Sequence, residues 1–157
     1  MSKAIKTAVL KSIPIINEEF SSIISHKDSL LIIALTKFIQ WKLKKQGIKS
    51  LLFAKEVPLR TIDSLQKCME RQYNALCKGR ESAEGLDWAD LLQNHLCWEI
   101  QKQYYFFITL YHWLNRYGIK KLYYEPLYFK NKKRYAATIN QLMPAFCRNQ
   151  GIELEKI

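Results

Sequence analysis

The chain has 157 residues, of which 48% are apolar, and a formal net charge of +11 at pH 7. This apolar content excludes a disordered protein, and the length is most simply that of one domain, residues 1–157, with a real hydrophobic core. The longest apolar stretch, Leu30–Leu35, is far too short to span a bilayer. The four cysteines lack the spacing of a zinc site, and we expect them to be reduced thiols of a cytoplasmic protein.

The N-terminal half is predicted to be helical. Five glycines and four prolines leave few places to turn, which favours long helices. Short helices are predicted over Met1–Ser12 and Pro14–Ser25, and a longer one from Asp28 to Gln46, with Gly47 as its terminator. A further helix is predicted from Pro58 to Lys78, where apolar residues recur every three or four positions.

The C-terminal half is predicted to contain the longest helix, from Asp87 to Tyr117. Residues 119–133 are expected to be irregular, and a last helix from Arg134 is expected to be interrupted at Pro144. No run of alternating residues is good enough to predict a sheet. We therefore predict a single-domain, all-α fold, a helical bundle of five to seven helices around one long central helix.

Positive charge is concentrated in Arg116–Tyr135, which holds seven basic residues and one acidic residue, Glu125. Aromatic residues lie between the charges. Basic side chains neutralise phosphates whatever the sequence, and flat rings stack on unpaired bases. The residues predicted to contact nucleic acid are Arg116, Lys120, Lys121, Tyr123, Tyr124, Tyr128, Lys130, Lys132, Lys133 and Arg134.

Other interpretations of this segment are a solvated loop whose tyrosines pack onto the core, and a surface for an acidic protein. A membrane-surface helix would separate its basic and apolar residues onto two faces. This segment interleaves them and contains Pro126, so we expect no membrane partner.

The sequence gives little sign of catalysis. His95 and Glu99 are four residues apart and could meet on one helix face, but such a pair is more often a surface contact than a site. No glycine-rich phosphate loop and no nucleophile–base pair is legible. We therefore expect a protein that is not an enzyme and that has no metal and no cofactor.

Two alternative functions come from other segments. Lys49–Gln66 has the outline of a helix-turn-helix DNA-binding regulator, with Thr61–Gln66 as its reading helix. Pro58 falls where a glycine is usual and Ser64 where an apolar residue is wanted, so two bundle helices that meet at Pro58 are the simpler interpretation. The other alternative is a protein–protein interaction adaptor that uses the aromatic residues 104–107.

Two motifs resemble the small all-helical subunit of type III CRISPR effector complexes. In that family a helix ends in a glycine followed by an apolar run, as in Gln46–Glu56 (QGIKSLLFAKE). A later helix ends in a Trp-Leu-Lys-Arg-aromatic pattern, which Trp113–Tyr117 matches with Asn115 in place of the lysine. About 40 residues follow the second motif, beyond the point where that family tends to finish. The resemblance implies a non-catalytic subunit that lines a guide–target channel and stacks against neighbouring subunits.

The leading prediction is sequence-tolerant binding of RNA or single-stranded DNA through the basic-aromatic segment. The protein would be a non-enzymatic subunit of a larger cytoplasmic assembly, with nucleic acid and other proteins as its partners.

Overall fold

The computed structural model describes residues 6–25, 29–53, 63–64, 67, 70–71, 88–129 and 131–157, and of residues 88–100 it describes the backbone. The chain divides into two compact units. The first is formed by Met1–Glu56 together with Thr109–Ile157, and the second by Val57–Ile108. The described helices are α1 (Glu18–Ser25), α2 (Lys37–Lys45), α3 (Trp88–Arg116) and α4 (Lys133–Asn149).

The first unit is built on a five-stranded parallel sheet with the strand order β3-β2-β1-β4-β5. Its strands are β1 (Thr7–Lys11), β2 (Leu30–Ala34), β3 (Leu51–Leu52), β4 (Lys121–Tyr124) and β5 (Glu153–Lys156). From β1, strands β2 and β3 extend the sheet in one direction, and strands β4 and β5 extend it in the other. This reversal between β1 and β4 is the topological switch point of a doubly wound α/β sheet.

The predicted all-α bundle is therefore wrong. The predicted helix Met1–Ser12 contains β1, and the predicted helix from Asp28 to Gln46 is β2 followed by α2. The reason is that parallel strands buried on both faces have continuous apolar runs and not the alternating pattern of a half-exposed strand. The break in the second segment comes at Thr36, whose side-chain oxygen accepts a hydrogen bond from the N–H of Ile39 and caps α2.

The C-terminal half is partly corrected and partly confirmed. Residues 119–133, which are predicted to be irregular, contain β4, and a further strand, β5, follows Gly151. Helix α4 runs through Pro144 without a break. The long helix is confirmed as α3. Most of the predicted helix from Pro58 to Lys78 lies outside the described residues.

Both faces of the sheet are covered. On one face, Val9, Ile32 and Tyr123 share a cluster with Phe20 of α1 and with residues of α2. The alternate residues of the strands, which include Leu10, Ile33 and Leu122, point to the other face and are fully buried. That second face meets α4, because the Tyr124 hydroxyl donates a hydrogen bond to Asn140.

Three of the described helices are followed by a glycine whose φ is positive, and Gly118 after α3 is one example. At φ 61° it reverses the chain, and the N–H of Ile119 donates to the carbonyl of Leu114 at 2.8 Å. The chain then enters β4. Among the described residues, no helix is long and apolar enough to cross a membrane.

Leu122→Ala tests the placement of β4. Leu122 is fully buried between β1 and β5, so we expect the free energy of unfolding to fall by about 2–5 kcal/mol. Leu142→Ala, at a residue that is 43% exposed, is the control and should change it by about 0.5 kcal/mol or less. Urea unfolding followed by circular dichroism measures both, and equal losses would contradict the position of Leu122 in the core.

Candidate nucleic-acid interface

A buried ion pair joins β1 and β4 at the switch point. Lys11 ends β1 and is fully buried, and its ammonium group contacts the carboxylate of Glu125, which is 3% exposed. Leu10 pairs with Tyr124 in the sheet, so the next residues, Lys11 and Glu125, lie opposite each other. The Lys11 ammonium also lies 4.4 Å from the centre of the Phe20 ring. Burying two charges costs several kcal/mol per ion unless further hydrogen bonds satisfy them.

Glu125 supplies those further bonds by fixing the turn between β1 and α1. Its second carboxylate oxygen accepts hydrogen bonds from the N–H groups of Ser12 at 2.9 Å and Ile13 at 3.0 Å. The Ser12 hydroxyl lies within hydrogen-bond distance of the carbonyl oxygens of Glu125 and Pro126. One carboxylate therefore holds together the two strand ends that flank the switch point.

This turn differs from the glycine-rich turn of dinucleotide-binding sheets. There the backbone approaches a pyrophosphate closely because glycines leave room for it. Here Ser12–Asn17 contains no glycine, and its first two N–H groups donate to Glu125. A carboxylate of the protein thus occupies the place of an anionic ligand, and any ligand at this edge must be contacted by other groups.

The loop between β4 and α4 offers such groups, and its residue Leu127 is held by α4. Asn140 of α4 accepts a hydrogen bond from the N–H of Leu127 at 2.8 Å and donates one to its carbonyl at 3.1 Å. Burial raises the pKa of the Tyr124 phenol to about 12, so this group remains a neutral donor to Asn140. Leu127 is buried and the next residue, Tyr128, is 68% exposed. An exposed ring therefore directly follows a residue that hydrogen bonds hold to α4.

Basic residues follow at the start of α4. Lys132 occupies the N-cap position, where its side chain has no oxygen to accept a hydrogen bond. The first turn, which the structure describes in full, carries Lys133 and Arg134 and no carboxylate. Cations near a helix N-terminus are unfavourable because that end of the helix dipole is positive. Within the described part of the chain, none of these three side chains forms an ion pair.

We call the exposed group formed by Tyr128, Lys132, Lys133 and Arg134 the carboxyl-edge surface. All four residues follow the carboxyl end of β4, beside the switch point. Ligands of open α/β sheets bind in the crevice at this edge. Lys130, which the sequence places in the same loop, lies outside the described residues.

Tyr123 and Tyr124 do not belong to this surface. They are 7% and 4% exposed, and each is part of β4. Tyr123 packs in the cluster on the α1 and α2 face, whereas Tyr124 points to α4. A base could not stack on either ring without opening the sheet.

Lys121 is engaged by the neighbouring strand. Its ammonium group lies 2.6 Å from a carboxylate oxygen of Glu153 and 2.7 Å from one of Glu155, both in β5. The hydrogen bond to Glu153, and then the one to Glu155, raises the pKa of Lys121 above its usual range. Two carboxylates thus offset the charge that the sequence assigns to a phosphate contact.

Arg116 and Lys120 are exposed near the amino-terminal ends of the strands, opposite the carboxyl-edge surface. Both precede β4, and the N–H of Lys120 donates to the carbonyl of Lys6 just before β1. A strand of four residues separates the two groups of predicted contacts by about 13 Å, at roughly 3.3 Å per residue. Residues that are contiguous in sequence therefore form two separate basic groups.

The other predicted features are less completely described. Most of the helix-turn-helix segment lies outside the described residues, and so do the side chains of His95 and Glu99. Among the described residues, no group of three or more potential metal ligands occurs. Tyr104, one of the aromatic residues of the adaptor hypothesis, is 45% exposed.

Lys11, Ser12 and Asn140 are the site residues that the sequence analysis missed. Lys11 was interpreted as part of a helix, and Asn140 carried no signal at all. The one available sign was Glu125, the single acidic residue in a basic segment. An isolated acid in such a segment suggests a specific internal partner.

No protein-family model, no curated protein and no solved structure matches this chain. The resemblance to the CRISPR subunit therefore depends on its two short motifs. The all-helical fold that it implied is wrong for this chain, since the first motif leads into β3 of a parallel sheet.

Removing either member of the buried pair should destabilise the protein. We expect Glu125→Ala to cost about 3–5 kcal/mol, because it leaves a buried ammonium group and two N–H groups without their acceptor. Lys11→Met should cost less, since the carboxylate keeps its two backbone donors. The double variant should cost less than the sum of both changes. Chemical denaturation of the three variants measures this, and strictly additive costs would show that the two side chains do not interact.

Proposed function

We propose that this protein binds single-stranded nucleic acid, RNA in the first place, through the carboxyl-edge surface. Lys132, Lys133 and Arg134 contact phosphates, and Tyr128 stacks on a base. The protein acts as a non-enzymatic subunit of a larger assembly in the cytoplasm. The observation that carries the proposal is an exposed tyrosine, next to a residue that α4 holds by hydrogen bonds, together with three basic residues at the N-terminus of that helix.

The fixed loop supports a binding role for Tyr128. A solvated loop needs no side-chain amide such as that of Asn140 to hold it, and its tyrosines would pack inward as Tyr123 and Tyr124 do. Tyr128 instead presents its ring to solvent directly after a residue whose backbone N–H and carbonyl are both bonded to Asn140. Binding to such a ring costs little conformational entropy, which favours affinity.

The position of the charges supports a phosphate ligand. Three cations at the start of α4 oppose the helix dipole, so each costs the free protein a fraction of a kcal/mol. A bound phosphate reverses this balance, because helix N-terminal N–H groups and basic side chains both favour an anion. The same arrangement gives no preference for one base over another, which fits a sequence-tolerant binder.

A triple reversal, Lys132→Glu, Lys133→Glu and Arg134→Glu, separates binding from folding. We expect the affinity for single-stranded RNA to fall at least tenfold. The slope of log K against log[salt] should become shallower by about 2, since each lost phosphate contact accounts for roughly 0.7. The melting temperature should not fall, because acidic residues suit a helix N-terminus. Fluorescence anisotropy with a labelled oligonucleotide at several salt concentrations, together with thermal melts, measures these effects.

The matched control reverses Lys6, Arg116 and Lys120 to glutamate. These residues are exposed near the amino-terminal ends of the strands. It changes the net charge by the same amount and should leave the affinity within about threefold of that of the unmodified protein. If the control weakens binding as much as the triple reversal does, total charge and not the carboxyl-edge surface accounts for the binding.

A further inference from the structure

We propose that the exposed side of α2 forms a second contact for the same single strand, in which Trp41 stacks on a base and Lys37, Lys44 and Lys49 contact phosphates. This inference rests on the proposed function. It concerns a different helix from the carboxyl-edge surface, and the two can be tested separately.

Helix α2 exposes aromatic rings that the fold does not use. The helix packs on the core through Ile39 and Leu43, which are 3% and 0% exposed. Phe38 and Trp41 remain 56% and 47% exposed and stack on each other, with their ring centres 6.0 Å apart. The exposed parts of these rings leave apolar surface that a ligand can contact.

Lysines surround these rings. The ammonium groups of Lys45 and Lys42 lie 4.1 Å and 5.5 Å from the centre of the Trp41 ring. The helix dipole accounts for the lysines in the last turn of α2. It accounts neither for Lys37 in the first turn nor for the exposed rings. Within the described part of the chain, none of the α2 lysines forms an ion pair.

A groove runs beside Trp41. It has a volume of about 630 Å³ and is lined by Lys37, Gln40, Trp41, Lys44 and residues 47–50. This volume lies within the range of about 300–1,000 Å³ that small-molecule sites occupy. The groove thus combines one aromatic wall with several lysines, which is the combination that a nucleotide unit requires.

The groove is formed before any ligand arrives. The Gln40 side chain donates a hydrogen bond to the carbonyl of Ser50 at 3.1 Å, which ties the helix to the opposite wall. Gly47 turns the chain at a φ of 74°, and the N–H of Ile48 donates to the carbonyl of Leu43 at 3.0 Å. Both walls are therefore fixed by bonds that a ligand need not make.

A single strand fits these observations better than a membrane does. A helix that lies on a membrane inserts an apolar face and keeps its lysines on the other face. In α2 the apolar face is occupied by the core, and the exposed rings lie among the lysines. Aromatic rings interleaved with basic side chains are typical of sequence-tolerant single-strand binding.

Photo-crosslinking with a 4-thiouridine-containing single-stranded RNA tests the inference. Trypsin cleavage after lysine places Trp41 in the peptide Phe38–Lys42 and Tyr128 in the peptide Leu122–Lys130. We expect crosslinks in both peptides. Trp41→Leu should remove the first, leave the second and weaken binding about tenfold, as expected for the loss of one stacked base. Tyr111→Leu, at a ring that is 46% exposed on α3, is the control and should change neither.

The outcomes separate the two proposals. Crosslinks in Leu122–Lys130 alone, with unchanged affinity of Trp41→Leu, would overturn the α2 contact and leave the proposed function intact. Crosslinks in Phe38–Lys42 alone, together with an unchanged RNA affinity of the Lys132/Lys133/Arg134 variant, would support the α2 contact. They would also show that the carboxyl-edge surface does not bind the strand. No binding of RNA by the unmodified protein would overturn both, and Trp41-dependent sedimentation with anionic vesicles would then assign α2 to a membrane surface.

Discussion

The contact between Lys11 and Glu125 is the interaction on which the carboxyl edge depends. It joins residues that are 114 positions apart in the chain, at the place where the two halves of the sheet meet. A buried charge pair forms only when both strands are in register, because a shift by one residue would send either side chain to the other face. The pair therefore specifies the alignment of β1 with β4 more strictly than the interchangeable apolar residues around it do.

This alignment also determines what the edge offers to a ligand. Glu125 uses the first N–H groups of the β1–α1 turn, which other doubly wound sheets leave for a phosphate. The neighbouring loop offers an exposed side chain instead, since Asn140 holds Leu127 and the next residue, Tyr128, is exposed. At this edge the exposed groups are therefore side chains, where a dinucleotide-binding sheet has backbone N–H groups. The proposed single-strand function and the internal carboxylate are thus two consequences of the same arrangement.

The sequence predicts some elements well because their signals are local. Helix α3 has enough periodic residues to be recognised, and Gly47 ends α2 as its position predicts. The sheet could not be recognised from alternation, since β2 is a run of five apolar residues that suits a helix or a buried strand equally. The shortness of that run, together with Thr36 two residues after it as a helix cap, is the available sign of a strand.

The candidate site depends on contacts that no local pattern contains. Tyr123, Tyr124 and Tyr128 look alike in sequence, yet the register of β4 buries two of them and the Asn140 contacts expose the third. In the sequence, Lys11 looks like any lysine of an amphipathic segment. Only the structure shows that Glu125 lies opposite it. Charge density therefore identifies the basic segment, whereas the tertiary structure decides which of its residues are exposed.

The direction of each helix adds information that charge density lacks. Lys42, Lys44 and Lys45 lie at the C-terminal end of α2, where the dipole favours them, so their presence in the sequence does not by itself indicate a ligand. Lys132, Lys133 and Arg134 lie at the N-terminal end of α4, where the dipole opposes them. Lys37 has the same unfavourable position in α2, beside the exposed Phe38. Cations that the fold disfavours are better indicators of an anionic ligand than cations that it stabilises, and in this protein they occur next to exposed aromatic rings on both surfaces.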